Sequence, residues 1–157
     1  MEENNAAAEQ PSGPQFAIQR TFIKDLSFET PMGVKVFTQA FQPKVKMDVN
    51  TRGNLIAEGV HEIVLTLTIT AKVEEDTAYI VELQQAGIFA INGFPEEQMA
   101  HVLGAVCPNF LFPYAREAVD SIVVKGGFPP LSIAPIDFDA IFRQSQASAD
   151  QSGQSLN

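Results

Sequence analysis

The strongest pattern of apolar and polar positions in this chain runs through residues 59–91. In Val60-His61-Glu62-Ile63-Val64-Leu65-Thr66-Leu67-Thr68-Ile69-Thr70-Ala71-Lys72-Val73, every second residue from Ile63 onward is apolar. Strand side chains alternate between faces, so Ile63, Leu65, Leu67, Ile69, Ala71 and Val73 share one face. Glu62, Val64, Thr66, Thr68, Thr70 and Lys72 share the other, and the Val, Ile and Thr content suits a pleated surface. Glu74-Glu75-Asp76 interrupts the pattern with three acids and predicts a hairpin loop of about three to five residues. A returning strand over residues 77–91 puts Tyr79, Val81, Leu83, Gln85, Gly87, Phe89 and Ile91 on one face. Ala78, Ile80, Glu82, Gln84, Ala86 and Ile88 fall on the other, where the alternation is less clean than in a half-solvated sheet. Two readings of Ile80 and Ile88 stay open: scattered surface apolar groups, which are ordinary, or apolar surface meant for another chain.

The remaining segments fit around that hairpin. Residues 16–29 read as a strand with Phe16, Ile18, Phe22, Leu26 and Phe28 on one face, interrupted by Arg20 and Lys24. Its other face ends in Asp25, Ser27 and Glu29, and Thr30-Pro31-Met32-Gly33 closes it. Residues 34–41 fit one helical turn. Lys44-Val45-Lys46-Met47-Asp48-Val49-Asn50 is a fourth strand, with Val45, Met47 and Val49 inward, left through Thr51-Arg52-Gly53-Asn54. Pro95-Glu96-Glu97 then opens a helix, and Met99, Val102, Leu103 and Val106 recur at helical spacing up to Cys107-Pro108. Pro113 opens a second helical run whose stripe is Ala115, Ala118, Val119 and Ile122, ended by Gly126-Gly127. The two runs are compatible with one long helix kinked at its prolines.

Phe128-Pro129-Pro130-Leu131-Ser132-Ile133-Ala134-Pro135 suits neither helix nor central strand. A loop this apolar has to lie against something and suits the wall of a groove. Asp137 caps a short last helix with Phe138, Ile141 and Phe142. Residues 1–14 and 144–157 are polar and expected to be disordered, leaving 15–143 as one domain. Strands first and helices after predict an α+β fold with the helices on one face of an antiparallel sheet.

Composition narrows the function. A net charge of −9 and a pI near 4.6 argue against a nucleic-acid partner, which needs a basic face. No apolar run approaches the ~20 residues that span a bilayer, so membrane insertion is not expected. The acidic start Met1-Glu2-Glu3 is unlike a secretory signal, and the lone Cys107 fits a reducing compartment, so a cytoplasmic protein is expected. There is no phosphate loop, paired-histidine zinc helix or nucleophile elbow, so an enzyme is the least supported reading and no cofactor is expected. His61 and His101 read as structural or exposed, and Cys107 as a small buried hydrophobe.

Two features point to binding. Asp25 and Glu29 share a strand face about 13 Å apart at ~3.3 Å per residue, and Glu82 occupies the more polar face of the last strand. They form a carboxylate patch around Ile80 if the two strands share a sheet and these faces coincide; otherwise they are an ordinary solvated surface. The second feature is aromatic: of 12 Phe and 2 Tyr, Phe28, Phe37, Phe41, Phe94, Phe128 and Phe138 lie near segment ends. Core packing explains most of them, and the surplus beside Pro-rich loops suits an apolar groove for flexible chains.

Several stretches resemble the SecB family of protein-export chaperones. They are Lys24-Asp25-Leu26-Ser27-Phe28-Glu29, Gln84-Gln85-Ala86-Gly87-Ile88-Phe89, Gln98-Met99-Ala100-His101, Asn109-Phe110-Leu111-Phe112-Pro113-Tyr114-Ala115-Arg116-Glu117 and Phe128-Pro129-Pro130-Leu131 with Ala134-Pro135-Ile136-Asp137-Phe138-Asp139-Ala140. The resemblance covers roughly residues 15–143. It implies a four-stranded antiparallel sheet with two helices packed on one face, assembled as a homotetramer, a dimer of dimers. It implies a cytoplasmic chaperone that binds unfolded precursor proteins and delivers them to the SecA motor ATPase. The motor-binding positions it implies are Asp25, Glu29, Ile80 and Glu82, with Ile80 where relatives often carry leucine. The client-groove positions it implies are Phe41, Met47, Val49, Tyr79, Leu83 and Ile88, walled by Phe128 and Leu131 of the loop, with Phe41 where some relatives have tryptophan. Rival readings are an α+β domain binding a small ligand between sheet and helix, and a SecB-like chaperone of a toxin–antitoxin pair.

Overall fold

The computed structural model describes residues 13–154. Most of the expected N-terminal arm, residues 1–12, and the last residues of the tail, 155–157, lie outside the described residues. Strands β1 (Gln15–Glu29), β2 (Lys44–Ala57), β3 (Val60–Val73) and β4 (Asp76–Asn92) form one antiparallel sheet in the order β1-β4-β3-β2. The strongly patterned hairpin therefore supplies both interior strands. The inward set of β3, from Ile63 to Val73, is buried, as are Tyr79, Val81, Leu83, Phe89 and Ile91 of β4. A 3₁₀ turn, Gly33–Thr38, lies in the crossover from β1 to β2 where one helical turn is predicted.

The strands differ from expectation in three places, each because the ladder overrides a local signal. Val73 pairs with Asp76, so the β3–β4 loop is only Glu74-Glu75, with Glu74 at φ 56°. Asp76 belongs to the ladder. The residues Thr51-Arg52-Gly53-Asn54, predicted to leave β2, stay in it opposite Leu65, Val64, Ile63 and Glu62, because β3 offers each a partner. The chain reverses instead at Glu58-Gly59, where Gly59 takes φ 65°. The third difference is in β1, whose register against β4 slips once between Ile18 and Arg20 and again between Ile23 and Asp25. An extra residue flips every side chain beyond it. Phe22, expected inward with Phe16 and Leu26, therefore pairs with outward Ala86, while Thr21 and Ile23 turn inward opposite Gly87 and Gln85. The second slip restores the original parity. Leu26 and Phe28 face the core, and Asp25, Ser27 and Glu29 face away.

The helical stretches are continuous: α1 (Glu96–His101), a π turn (Val102–Val106) and α2 (Cys107–Lys125). Pro108 has no N–H to donate, and its ring would meet the carbonyl of Gly104 in a regular helix. The wider π turn, closed by the Cys107 N–H on the Val102 carbonyl, stands directly before it and absorbs that conflict. Leu111, Ala115, Val119 and Val123 of α2 are buried against β4 and β3. Gly87 permits that approach, since a Cβ there would lie 2.8 Å from Cδ2 of Leu111.

Helix α3 (Phe138–Gln154) starts as expected, with Asp137 Oδ1 accepting the Ala140 N–H at 2.9 Å. It is longer than expected: residues 144–154, read as a disordered tail, continue the helix. Gln and Ala favour helix, and the Ser145 and Ser148 hydroxyls donate back to the carbonyls of Phe142 and Gln144. Low apolar content hid the segment, whose side chains are exposed from Arg143 to Gly153.

The β1 bulges give a stability test. Phe89→Ala removes a fully buried ring and should cost about 3–5 kcal/mol in urea unfolding, while Phe22→Ala should cost distinctly less. Equal losses would return Phe22 to the core face.

Candidate functional site

The sheet has one face covered by α2 and one free of helices, and each carries a feature foreseen in the sequence. On the free face, Glu29 pairs with Ile80, Ser27 with Glu82 and Asp25 with Gln84. Asp25, Glu29, Ile80 and Glu82 thus come together on adjacent strands, which lie ~4.8 Å apart. The three carboxylates are exposed and Ile80 is half-buried among them. None of the three has a cation within ion-pair distance among the described residues. Lys24, next in sequence to Asp25, reaches instead to Glu62, with Nζ 2.8 Å from Oε1. That hydrogen bond holds the Glu62 carboxyl below the usual carboxylate range, against the opposing effect of burial. The corner therefore keeps its negative charge unneutralised.

On the covered face, α2 reaches β4 and β3 but leaves the inner side of β2 open. Loop 126–137 stands over that side. Asp120 of α2 fixes the loop by accepting the Leu131 and Ser132 N–H groups on Oδ1 at 2.9 and 3.1 Å. Its first residues are pinned by aromatic packing, with the Phe128 ring 4.8 Å from Tyr79 and 5.2 Å from both Phe37 and Phe41. Between loop and strand lies a hollow of about 250 Å³ lined by Val45, Met47, Ile69, Leu131, Ile133 and neighbouring small residues. A larger hollow of about 590 Å³ continues towards the β2–β3 turn, lined by Val49, Leu55, His61, Leu103, Ile141 and Phe142 among others. Met47 and Val49 are successive inward residues of β2, so the two hollows follow one another along the strand as a cleft that is apolar beneath the loop and mixed further on, where Asn50, Thr51, Arg52, Ser145 and Gln146 join its lining.

The predicted groove residues divide into three groups. Met47, Val49 and Leu131 line the cleft, and Phe41 packs beside it. Tyr79, Leu83 and Phe128 are buried: Tyr79, at 1% exposure, and Leu83 in the sheet that makes the floor, and Phe128 in the loop that packs on Tyr79. Ile88 lies on the helix-free face, paired with Arg20 and Glu62, away from the cleft. Ile133 also lines the cleft, within the loop read as a groove wall, whereas the pattern did not reveal Ile69, Leu103, Ile141 or Phe142 as lining. Periodicity marked Ile69, Ile141 and Phe142 as apolar but carried no sign that α3 returns beside β2.

Burial also governs the titratable groups near the core. The Tyr79 hydroxyl is pushed up to about 12, first by burial and then by the Asp120 carboxylate. The Cys107 thiol is likewise pushed up to about 12 by burial. No group of three or more His, Cys, Asp or Glu side chains able to hold a metal occurs among the described residues.

Residues 9–149 match the family model described as SecB, preprotein translocase subunit SecB. The chain belongs to the SecB family. It is 50% identical over 152 residues to the protein-export protein SecB of Cellvibrio japonicus, covering 96% of this chain and 91% of that one. It is 51% identical over 154 residues to the SecB of Methylococcus capsulatus, covering 98% and 97%. Among solved structures, the SecB-like chaperone of Mycobacterium tuberculosis, in complex with a ChAD peptide from the HigA1 antitoxin, superposes with a TM-score of 0.63. That likeness covers 77% of this chain and 87% of the other at 12% identity, and shows the shared fold. The SecB-like α+β fold expected from the resemblance is thus the fold found. No described helix is long and apolar enough to cross a membrane.

The raised Tyr79 and Cys107 values make alkaline stability a test. Their ordinary values are 10.0 and 9.0, so both groups contribute fully below pH 9 and lose that contribution as pH rises towards about 12. The urea midpoint should fall between pH 9 and 12, and Tyr79→Phe should flatten the upper part of the fall. A midpoint that holds to pH 12 would contradict the burial.

Proposed function

We propose that this SecB-family chain, a protein-export chaperone, takes unfolded precursor segments into the cleft along β2 and passes them to the SecA motor at the acidic corner. The observation that carries this reading is the cleft itself: apolar at Val45, Met47, Ile69, Leu131 and Ile133, open along one side and walled by a fixed loop. An extended polypeptide buries apolar side chains there at roughly 25 cal/mol per Å², less the entropy of ordering it. Single contacts are modest, and several along one client gain by multivalency. A folded protein hides its apolar segments and offers the cleft nothing. Selection of non-native chains follows without a chemical step.

The acidic corner supports the second half of the reading. Three unpaired carboxylates around a half-buried isoleucine suit a docking segment that is basic with an apolar anchor. Cleft and corner lie on opposite faces of the sheet, so client and motor can bind together. The proposed assembly is a homotetramer, a dimer of dimers. Its support is apolar surface outside the cleft: Ile23, Phe110, Tyr114 and Val124 are each about half-exposed on β1 and α2. The proposed compartment is the cytoplasm, where the motor and unexported precursors meet.

Native mass spectrometry should find four copies. Asp25→Ala with Glu82→Ala should weaken SecA binding about tenfold and flatten its salt dependence, while an unfolded precursor binds unchanged. Loss of both activities, or of neither, would count against this division of the surface.

A further inference from the structure

The helix-free face carries a second charged corner, of the opposite sign. Four of the ten Lys and Arg residues, Lys44, Lys46, Arg52 and Lys72, face outward on β2 and β3, in a chain whose net charge is −9. Three of them gather at one end. Lys44 pairs with Lys72 directly across the two strands, and Lys46 pairs with Thr70 beside them. Like charges directly opposite one another on adjacent strands are destabilising, and neither Lys44 nor Lys72 has an ion-pair partner among the described residues. Lys46 meets Asp48 at 3.6 Å with both side chains largely in solvent, so that pair neutralises little. The three lysines, Val45, Thr70 and Glu74 line a hollow of about 470 Å³, and Glu74 comes within ion-pair distance of none of them. Lysines on an edge strand deter unwanted pairing, but Lys72 belongs to interior β3, so guarding the edge does not account for it.

The register sets the two corners side by side. Glu29 pairs with Ile80, Ile80 with Thr70 and Thr70 with Lys46, so one row crosses all four strands from acid to base. We propose that Lys44, Lys46 and Lys72 are the second half of the motor-docking surface. They take an acidic stretch of the same SecA segment whose basic, apolar-anchored part sits at Asp25, Glu29, Ile80 and Glu82. The inference rests on the docking reading above and extends it to a partner of mixed charge. Charge names the occupant. At ~4.8 Å per strand the row spans about 14 Å, more than the Debye length of ~8 Å at physiological salt, so each corner needs its own counter-charge. A nucleic acid or anionic membrane that reached the lysines would also lie against Glu29 and Glu82 on the same face, and be repelled there. A protein segment carrying both signs matches both corners. The opposed corners also fix its direction, because the reversed segment would set like charges together at each end.

The test uses the full chain and purified SecA. Lys44→Glu with Lys72→Glu should weaken motor binding about tenfold at low salt and less as salt is raised, and Lys44→Gln with Lys72→Gln should weaken it less. Both side chains are exposed, so native mass, urea midpoint and affinity for an unfolded precursor should match those of the unaltered protein. In the complex, a zero-length carbodiimide should join Lys44 or Lys72 to an Asp or Glu of the motor. If only Asp25→Ala with Glu82→Ala weakens the motor, the acidic corner stands and the basic half is overturned. If neither pair matters, docking on this face fails and the inference with it. Motor affinity unchanged in the lysine variants would overturn the proposal in two further ways. Loss of binding to a single-stranded oligonucleotide would then assign the lysines to a polyanion, and a rise in native mass would make them guards of the sheet edge.

Discussion

A four-stranded sheet is wider than one helix. Strands ~4.8 Å apart place β1 about 14 Å from β2 between axes, and the outer side chains add more, while a helix with its side chains measures ~10–12 Å across. α2 lies on β4 and β3, the strands with the most apolar inner face, and so leaves a margin uncovered. The inward residues of that margin, Val45, Met47 and Val49, are as apolar as those of the core. Loop 126–137 and α3 lean over them and do not seal them. The cleft is therefore a consequence of covering a sheet with too little helix, and the chaperone reading rests on it.

The helix-free face depends on a different constraint. β1 lies at the edge of the sheet, where a bulge is tolerated, and it has two. A single slip would have turned Asp25 and Glu29 inward, against α2, and brought Leu26 and Phe28 out to solvent. The second slip cancels the first and returns both acids to the face that Glu82 and Ile80 share. Lys24, in the second slip, is drawn off to Glu62, so the cation nearest in sequence does not neutralise the corner. The geometry of the acidic patch and the paired bulges are one arrangement.

Much of this was legible in the chain because period-two patterning is strong where strands are buried. The interior hairpin, the inward set of β2 and the break at Glu74-Glu75 could all be read from alternation. The resemblance in Asn109–Glu117 and Phe128–Asp137 supplied the family, and with it the sites that alternation alone left open. What stayed hidden depends on partners distant in sequence. Nothing local marks the slips in β1, since they are defined only against β4. Thr51 to Asn54 resemble a turn and become strand because β3 lies opposite. Pro108 and Pro113 resemble helix breaks, and the π turn before Pro108 lets the helix run on. Ile88 matched a groove position by resemblance, yet alternation had already set it on the face opposite Tyr79 and Leu83.

The central claim is that non-native polypeptide lies on the covered side of the sheet along β2. A photo-reactive side chain placed at Met47 or Ile133 of the full chain tests it most directly against an unfolded precursor. The account predicts capture from both positions, none from Thr66 on the helix-free face, and none when the precursor has folded. Capture from Thr66 with none from Met47 or Ile133 would contradict it.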